Sequence, residues 1–128
     1  MSFNDDIQKL ARKLAITQKK AVAAFCINIS RRVDNMSPVD TGLFRANWQA
    51  SLDQPYTGAV KTANRIGSID HVIPFANSAN GHVFYLTNKL PYAQALEYGH
   101  SQQAPSGMVR VSARMALQEL ENAVRSVQ

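Results

Sequence analysis

Phe3, Ile7, Leu10, Leu14, Ala21, Phe25 and Ile29 are spaced at sums of three and four residues, the repeat of one helical face. The pattern predicts one long helix from about Phe3 to about Asn35. Ser2 or Asn4 can cap it, and Asp5 and Asp6 suit the positive end of its dipole. Ser37-Pro38 ends it, because a residue before proline is pushed out of the helical region. At ~1.5 Å per residue the helix would be roughly 48 Å long. In projection, Lys9, Arg12, Lys13, Lys19 and Lys20 gather opposite the apolar stripe, yet Ile16, Ala23 and Ile27 fall among them. Those three are either scattered surface residues or a second surface buried against a neighbouring subunit.

Beyond the turn residues Ser37–Gly42, Phe44 to Asp53 alternates apolar and polar, the period of a strand with one face on a core and Trp48 as its anchor. From Gln54 to Asn80, prolines and glycines interrupt every run, which predicts a loop-rich excursion with a short helix near Ile69–Asn77. A second strand is predicted at His82–Thr87. Pro91 opens a short helix to Tyr98, closed by Gly99, and a polar loop follows from His100 to Gly107. A last helix spans about Met108 to Val127, with Val109, Ala113, Ala116, Leu120, Ala123, Val124 and Val127 inside. The predicted class is α+β in one domain, residues 1–128: a small, mainly antiparallel sheet flanked by a long N-terminal helix and a C-terminal helix.

Charge sharpens this outline. The net charge of +5 is concentrated in residues 3–36, which hold seven basic against three acidic side chains. A 45% apolar and 18% charged composition is that of a folded domain. No run approaches the ~18 apolar residues of a membrane span, and the acidic start at Asp5-Asp6 is the opposite of a signal peptide. One cysteine, Cys26, makes no internal disulfide, as expected of a reducing compartment.

Candidate chemistry is sparse. His71, His82 and His100 lack the i, i+4 spacing of a helical metal site, and the nine carboxylates are scattered, so no metal or cofactor is expected. Cys26 between Phe25 and Ile27 reads as a small buried hydrophobe. Asp40-Thr41-Gly42 lacks the hydrophobic strand that a catalytic aspartate loop requires. No glycine-rich phosphate loop occurs, since every glycine is isolated. Glu97 is read as a surface acid or an ion-pair partner for an arginine such as Arg45, in preference to a general base. No catalytic residue is assigned. The basic face of Lys9, Arg12, Lys13, Lys19 and Lys20 is either a solvated helix face or a surface for phosphates.

Two islands carry a resemblance. The first runs from Ser37-Pro38-Val39-Asp40-Thr41-Gly42 through Leu43-Phe44-Arg45-Ala46-Asn47 to Trp48. The second runs from Asn88-Lys89-Leu90-Pro91-Tyr92-Ala93 through Glu97-Tyr98-Gly99 and Ala104-Pro105-Ser106-Gly107 to Met108-Val109. Together they cover 34 of the 128 residues. In this order, behind a helix, they resemble the neck, or tail-completion, protein family of long-tailed double-stranded-DNA bacteriophages. Residues 54–81 carry no part of the pattern.

The resemblance implies a non-enzymatic virion protein that forms a homo-oligomeric ring, a hexamer, at the head–tail junction. It implies assembly in the bacterial host cytoplasm, next to head-completion, tail-terminator or tail-tube proteins, with packaged DNA in the channel and no membrane. Arg45, Trp48, Tyr92, Glu97, Gln102 and Gln103 are then expected at assembly contacts. Pro38, Asp40, Thr41, Gly42, Pro91, Gly99, Pro105 and Gly107 are expected to shape the turns of the subunit. The basic face would look toward DNA or a neighbouring ring. Alternative readings are a tail-terminator ring subunit and a small nonspecific DNA-binding protein.

Overall fold

The computed structural model describes residues 2–37, 45, 47–58, 70–90, 93, 97, 98 and 108–125. The class is α+β. Among these residues, helices α1 (Phe3–Leu14), α2 (Gln18–Met36) and α4 (Val109–Arg125) pack on one another, and α2 also meets a two-stranded antiparallel sheet, β1 (Trp48–Leu52) and β2 (Phe84–Asn88). Between the strands, a 3-10 turn at Asp70–Val72 runs into a short helix α3 (Ile73–Asn77).

The predicted single N-terminal helix is two helices. Leu14 is followed by Ala15 in the left-handed conformation (φ 55°, ψ 39°), and Thr17 caps α2 by accepting the Lys20 N–H at 3.2 Å. The Ala15 N–H reaches Arg12 O and the Ile16 N–H reaches Ala11 O at 3.0 Å. That pair of bonds is the Schellman arrangement, and it satisfies carbonyls the helix end would otherwise leave open. Ile16 also packs against the apolar cluster that holds Ala11. The stripe does lack an apolar residue at positions 17 and 18, where Thr17 and Gln18 stand.

Splitting the helix changes what α2 buries. On one flank Ala21 joins Ile7, Ala11, Leu120 and Val124 in a cluster of α1, α2 and α4, with Leu10 and Phe25 against it. On the other, Cys26 joins Ala76 and Ala79, with Ile27, Leu52 and Phe84 packed alongside. Ile16 and Ile27 are therefore half-buried, and Ala23 buried, within one copy of the chain. They pack within the subunit and are not scattered surface residues.

The first strand is shorter than its alternation predicted. Asn47 and Gln49 are buried as well as Trp48 and Ala50, so this end of the strand is covered on both faces. Asp53, expected within the strand, turns out of it with φ 67°. The second strand begins at Phe84, and His82 instead meets Asp53. The register pairs Trp48 with Asn88 and Leu52 with Phe84. In α4 the buried stripe is Ser112, Ala116, Leu120 and Val124, so Ser112 takes the place predicted for Val109 and Ala113, and Val109 is exposed. The helix predicted at Pro91–Tyr98 lies outside the described residues apart from Ala93, Glu97 and Tyr98.

Candidate functional site

The two motif islands meet at one end of the molecule. Trp48 from the first packs with Leu90 and Met108 from the second and with Val33 of α2, and Met36, Leu86 and Ala93 close the cluster. Burying an indole here sets the position of everything around it.

Polar groups lock the same region. Ser37, the residue after α2, donates its hydroxyl to Val33 O at 2.6 Å and accepts the Trp48 indole N–H at 2.9 Å. Arg45 donates from Nε to Ser37 O and from Nη2 to Asn35 O, each at 3.0 Å. A guanidinium on the last carbonyls of a helix satisfies them and complements the negative end of the dipole. His71 donates from Nε2 to Trp48 O at 2.6 Å, because a carbonyl only accepts, and its buried Nδ1 has no partner among the described residues. Asp34 is buried nearby. Burial raises its carboxyl above the usual aspartate range, although Arg45 and His71 pull the other way.

Glu97 is the other lock. Its Oε1 accepts the Met108 and Val109 N–H groups at 2.9 and 2.8 Å, and its Oε2 accepts the Arg110 N–H at 3.1 Å. These are open donors at the start of α4, so the carboxylate caps that helix from a distant part of the chain. Arg110 closes the loop, with Nε on Glu97 Oε2 at 2.9 Å and Nη2 on Glu97 O at 2.7 Å. Burial alone would raise the Glu97 carboxyl. The three backbone donors and the guanidinium outweigh it and hold the group below the usual glutamate range. The predicted pairing with Arg45 is not formed: Arg110 is the partner, and Arg45 serves α2.

Tyr98 is 60% exposed beside this lock, with the Arg110 guanidinium 4.7 Å from its ring centre. Of the expected assembly residues, Arg45, Trp48 and Glu97 are thus engaged within the subunit. Tyr92, Gln102 and Gln103, and the turn residues Pro38, Asp40, Thr41, Gly42, Pro91, Gly99, Pro105 and Gly107, lie outside the described residues.

The basic face is divided by the helix break. Lys9, Arg12 and Lys13 ride on α1, and Lys19 and Lys20 on α2. Lys13 donates to Ala123 O near the end of α4 at 3.0 Å, which is a structural contact. Arg32 pairs with Glu119 of α4.

Three residues important here carried no sequence signal for their role: Ser37, His71 and Arg110. Only Ser37 stood beside a recognisable marker, Pro38. Among the described residues, no three His, Cys, Asp or Glu side chains come together to hold a metal ion. Burial pushes the Cys26 thiol up to about 11, so it is not an activated nucleophile. Chemically, the arrangement fixes backbone ends and presents a stacked tyrosine–arginine pair. No protein-family model, curated protein or solved structure matches the chain.

Proposed function

We propose that the chain is a non-enzymatic ring subunit of the phage neck, which completes the top of the tail and helps join it to the head. The observation that carries this reading is the convergence of the two motif islands. Residues 42 to 60 positions from Trp48 join it in one cluster, as Leu90, Ala93 and Met108, and Arg45 and Glu97 lock helix ends beside it. A motif spent on one rigid platform suits a subunit whose task is to hold its surface in a fixed shape. Tyr98 and Arg110 stand at the edge of that platform, and Tyr and Arg are side chains that anchor protein contacts. In a closed ring each copy uses two different surfaces, one against each neighbour. The hexameric number rests on the resemblance alone.

A nonsense codon in this gene, in a phage or inducible prophage carrying it, tests the proposal by negative-stain electron microscopy of the lysate. Filled heads beside unattached tails of normal length are expected. Overlong tails would assign the chain to tail termination instead. Intact infectious particles would overturn both structural roles.

A further inference from the structure

Helix α2 is gripped on two flanks and open between them. Ala21 faces α1 and α4, and Ala23, Cys26, Ser30 and Asp34, at helical spacing, are buried along the flank that meets α3. The intervening strip of Lys20, Ala24, Asn28, Arg31 and Asn35 is exposed along the helix. An open groove of about 630 Å³ lies against it, lined by Ala24, Ile27, Asn28, Arg31, Arg32 and Asn35.

The strip carries no carboxylate. Glu119, reaching its edge from α4, is paired with Arg32, and Arg32 Nε also donates to Asn28 Oδ1 at 3.0 Å. Among the described residues, Lys20 and Arg31 make no hydrogen bond or ion pair through their side chains, and neither does the adjacent exposed Lys19. These are uncompensated cations in a chain of net charge +5.

We infer that this face of α2 is a surface for the phosphate backbone of duplex nucleic acid, centred on Lys20 and Arg31. The chemistry of the strip selects that occupant. It has no aromatic side chain on which bases of a single strand would stack. Its apolar content is exposed Ala24 with half-buried Ile27 at the groove, too little for the desolvated anchor that a protein partner would bury. A regular polyanion needs neither. Lys20 and Arg31 are eleven residues apart, ~16 Å along the axis, a distance over which one strand of a duplex presents about five phosphates. Asn28 and Asn35 add amide groups between and beyond the two charges. The surface is distinct from the motif platform and does not depend on the neck reading.

Anisotropy titrations of a fluorescently labelled short DNA duplex with the full chain, at a series of salt concentrations, test this. The expected plot of log affinity against log salt has a slope of about −2 to −3, for two or three neutralised phosphates. Lys20→Ala and Arg31→Ala each reduce the steepness by about 1. Arg114→Ala, which removes an exposed cation of α4, leaves it unchanged. All three side chains lie in solvent, so the variants are expected to keep the far-ultraviolet circular dichroism of the parent. A slope unmoved by the Lys20/Arg31 double variant, or binding insensitive to salt, overturns the inference. So does polyglutamate competing as well per charge as unlabelled duplex, which would assign the face to an acidic polypeptide.

Discussion

The motif platform and the three-helix end of this molecule are built on different terms. At the platform, Trp48 is 4% exposed, and the groups around it are tied by directed bonds from Arg45, Ser37, His71 and Glu97. At the helical end, Ile7, Ala11, Ala21, Leu120 and Val124 meet mainly by contact, and a groove of about 240 Å³ stays open between α1, α2 and α4. Directed bonds fix geometry but fail one at a time when a partner is lost. An alanine-rich apolar junction is looser, and it can settle around a deletion.

Truncations at the two ends should separate them most clearly. Trp48→Ala is expected to cost about 4 kcal/mol, because it empties a closed cluster and removes the indole bond to Ser37. Leu120→Ala, beside the open groove, is expected to cost about 2 kcal/mol, at the low end for its type. Urea denaturation of both variants measures the difference. Equal costs would overturn the contrast, because Leu120→Ala removes far fewer buried atoms than Trp48→Ala.

A smaller effect probes the platform's electrostatics. Glu97→Gln is expected to lose about 1–2 kcal/mol at neutral pH, since the carboxylate accepts three backbone N–H groups and a guanidinium. The folded carboxyl is held below its ordinary range, so its stabilisation is fully present above the ordinary glutamate value of ~4.3. That stabilisation is lost as pH falls through the folded value. Midpoints measured down the acid range should therefore fall less steeply in the variant than in the parent.

The smallest effect concerns the helical end, and its sign is diagnostic. Ala15 sits at φ 55°, where glycine is free of the cost that a side chain meets. Ala15→Gly is expected to stabilise the protein by about 1 kcal/mol, read as a raised thermal midpoint. In an unbroken helix the same change would cost about as much.

That break marks where the sequence stopped being legible. The apolar stripe of the N-terminal region, the stop at Ser37-Pro38 and the strand around Trp48 all follow from local periodicity and proline chemistry, which one sequence displays. Ala15 offers no glycine to betray the turn, and Thr17 is an ordinary cap residue inside a pattern that otherwise continues. Ser112 was hidden because its partner is remote in sequence: Met36, on another helix, accepts its hydroxyl at 3.5 Å. The platform was half visible. Its residues stood in the two islands, but Glu97 and Arg110 are thirteen positions apart, and no local rule joins them. Asn47 and Gln49 are buried because neighbouring elements cover both faces of the strand, which alternation alone does not reveal.

The bond from Lys13 to Ala123 spans 110 positions of the chain. A ribosome adding roughly 5–20 residues per second delivers the N-terminal helices roughly 5–20 s before the helix that completes their core. Through that interval Ile7, Ala11 and Ala21 lack Leu120 and Val124, the partners that bury them in the finished protein. The left-handed cap at Ala15 lets α1 and α2 fold against each other meanwhile, with Phe3 edge-on to Phe25 at 4.8 Å. A nascent hairpin can shelter its own apolar faces during synthesis, which one straight rod of the same sequence has no means to do.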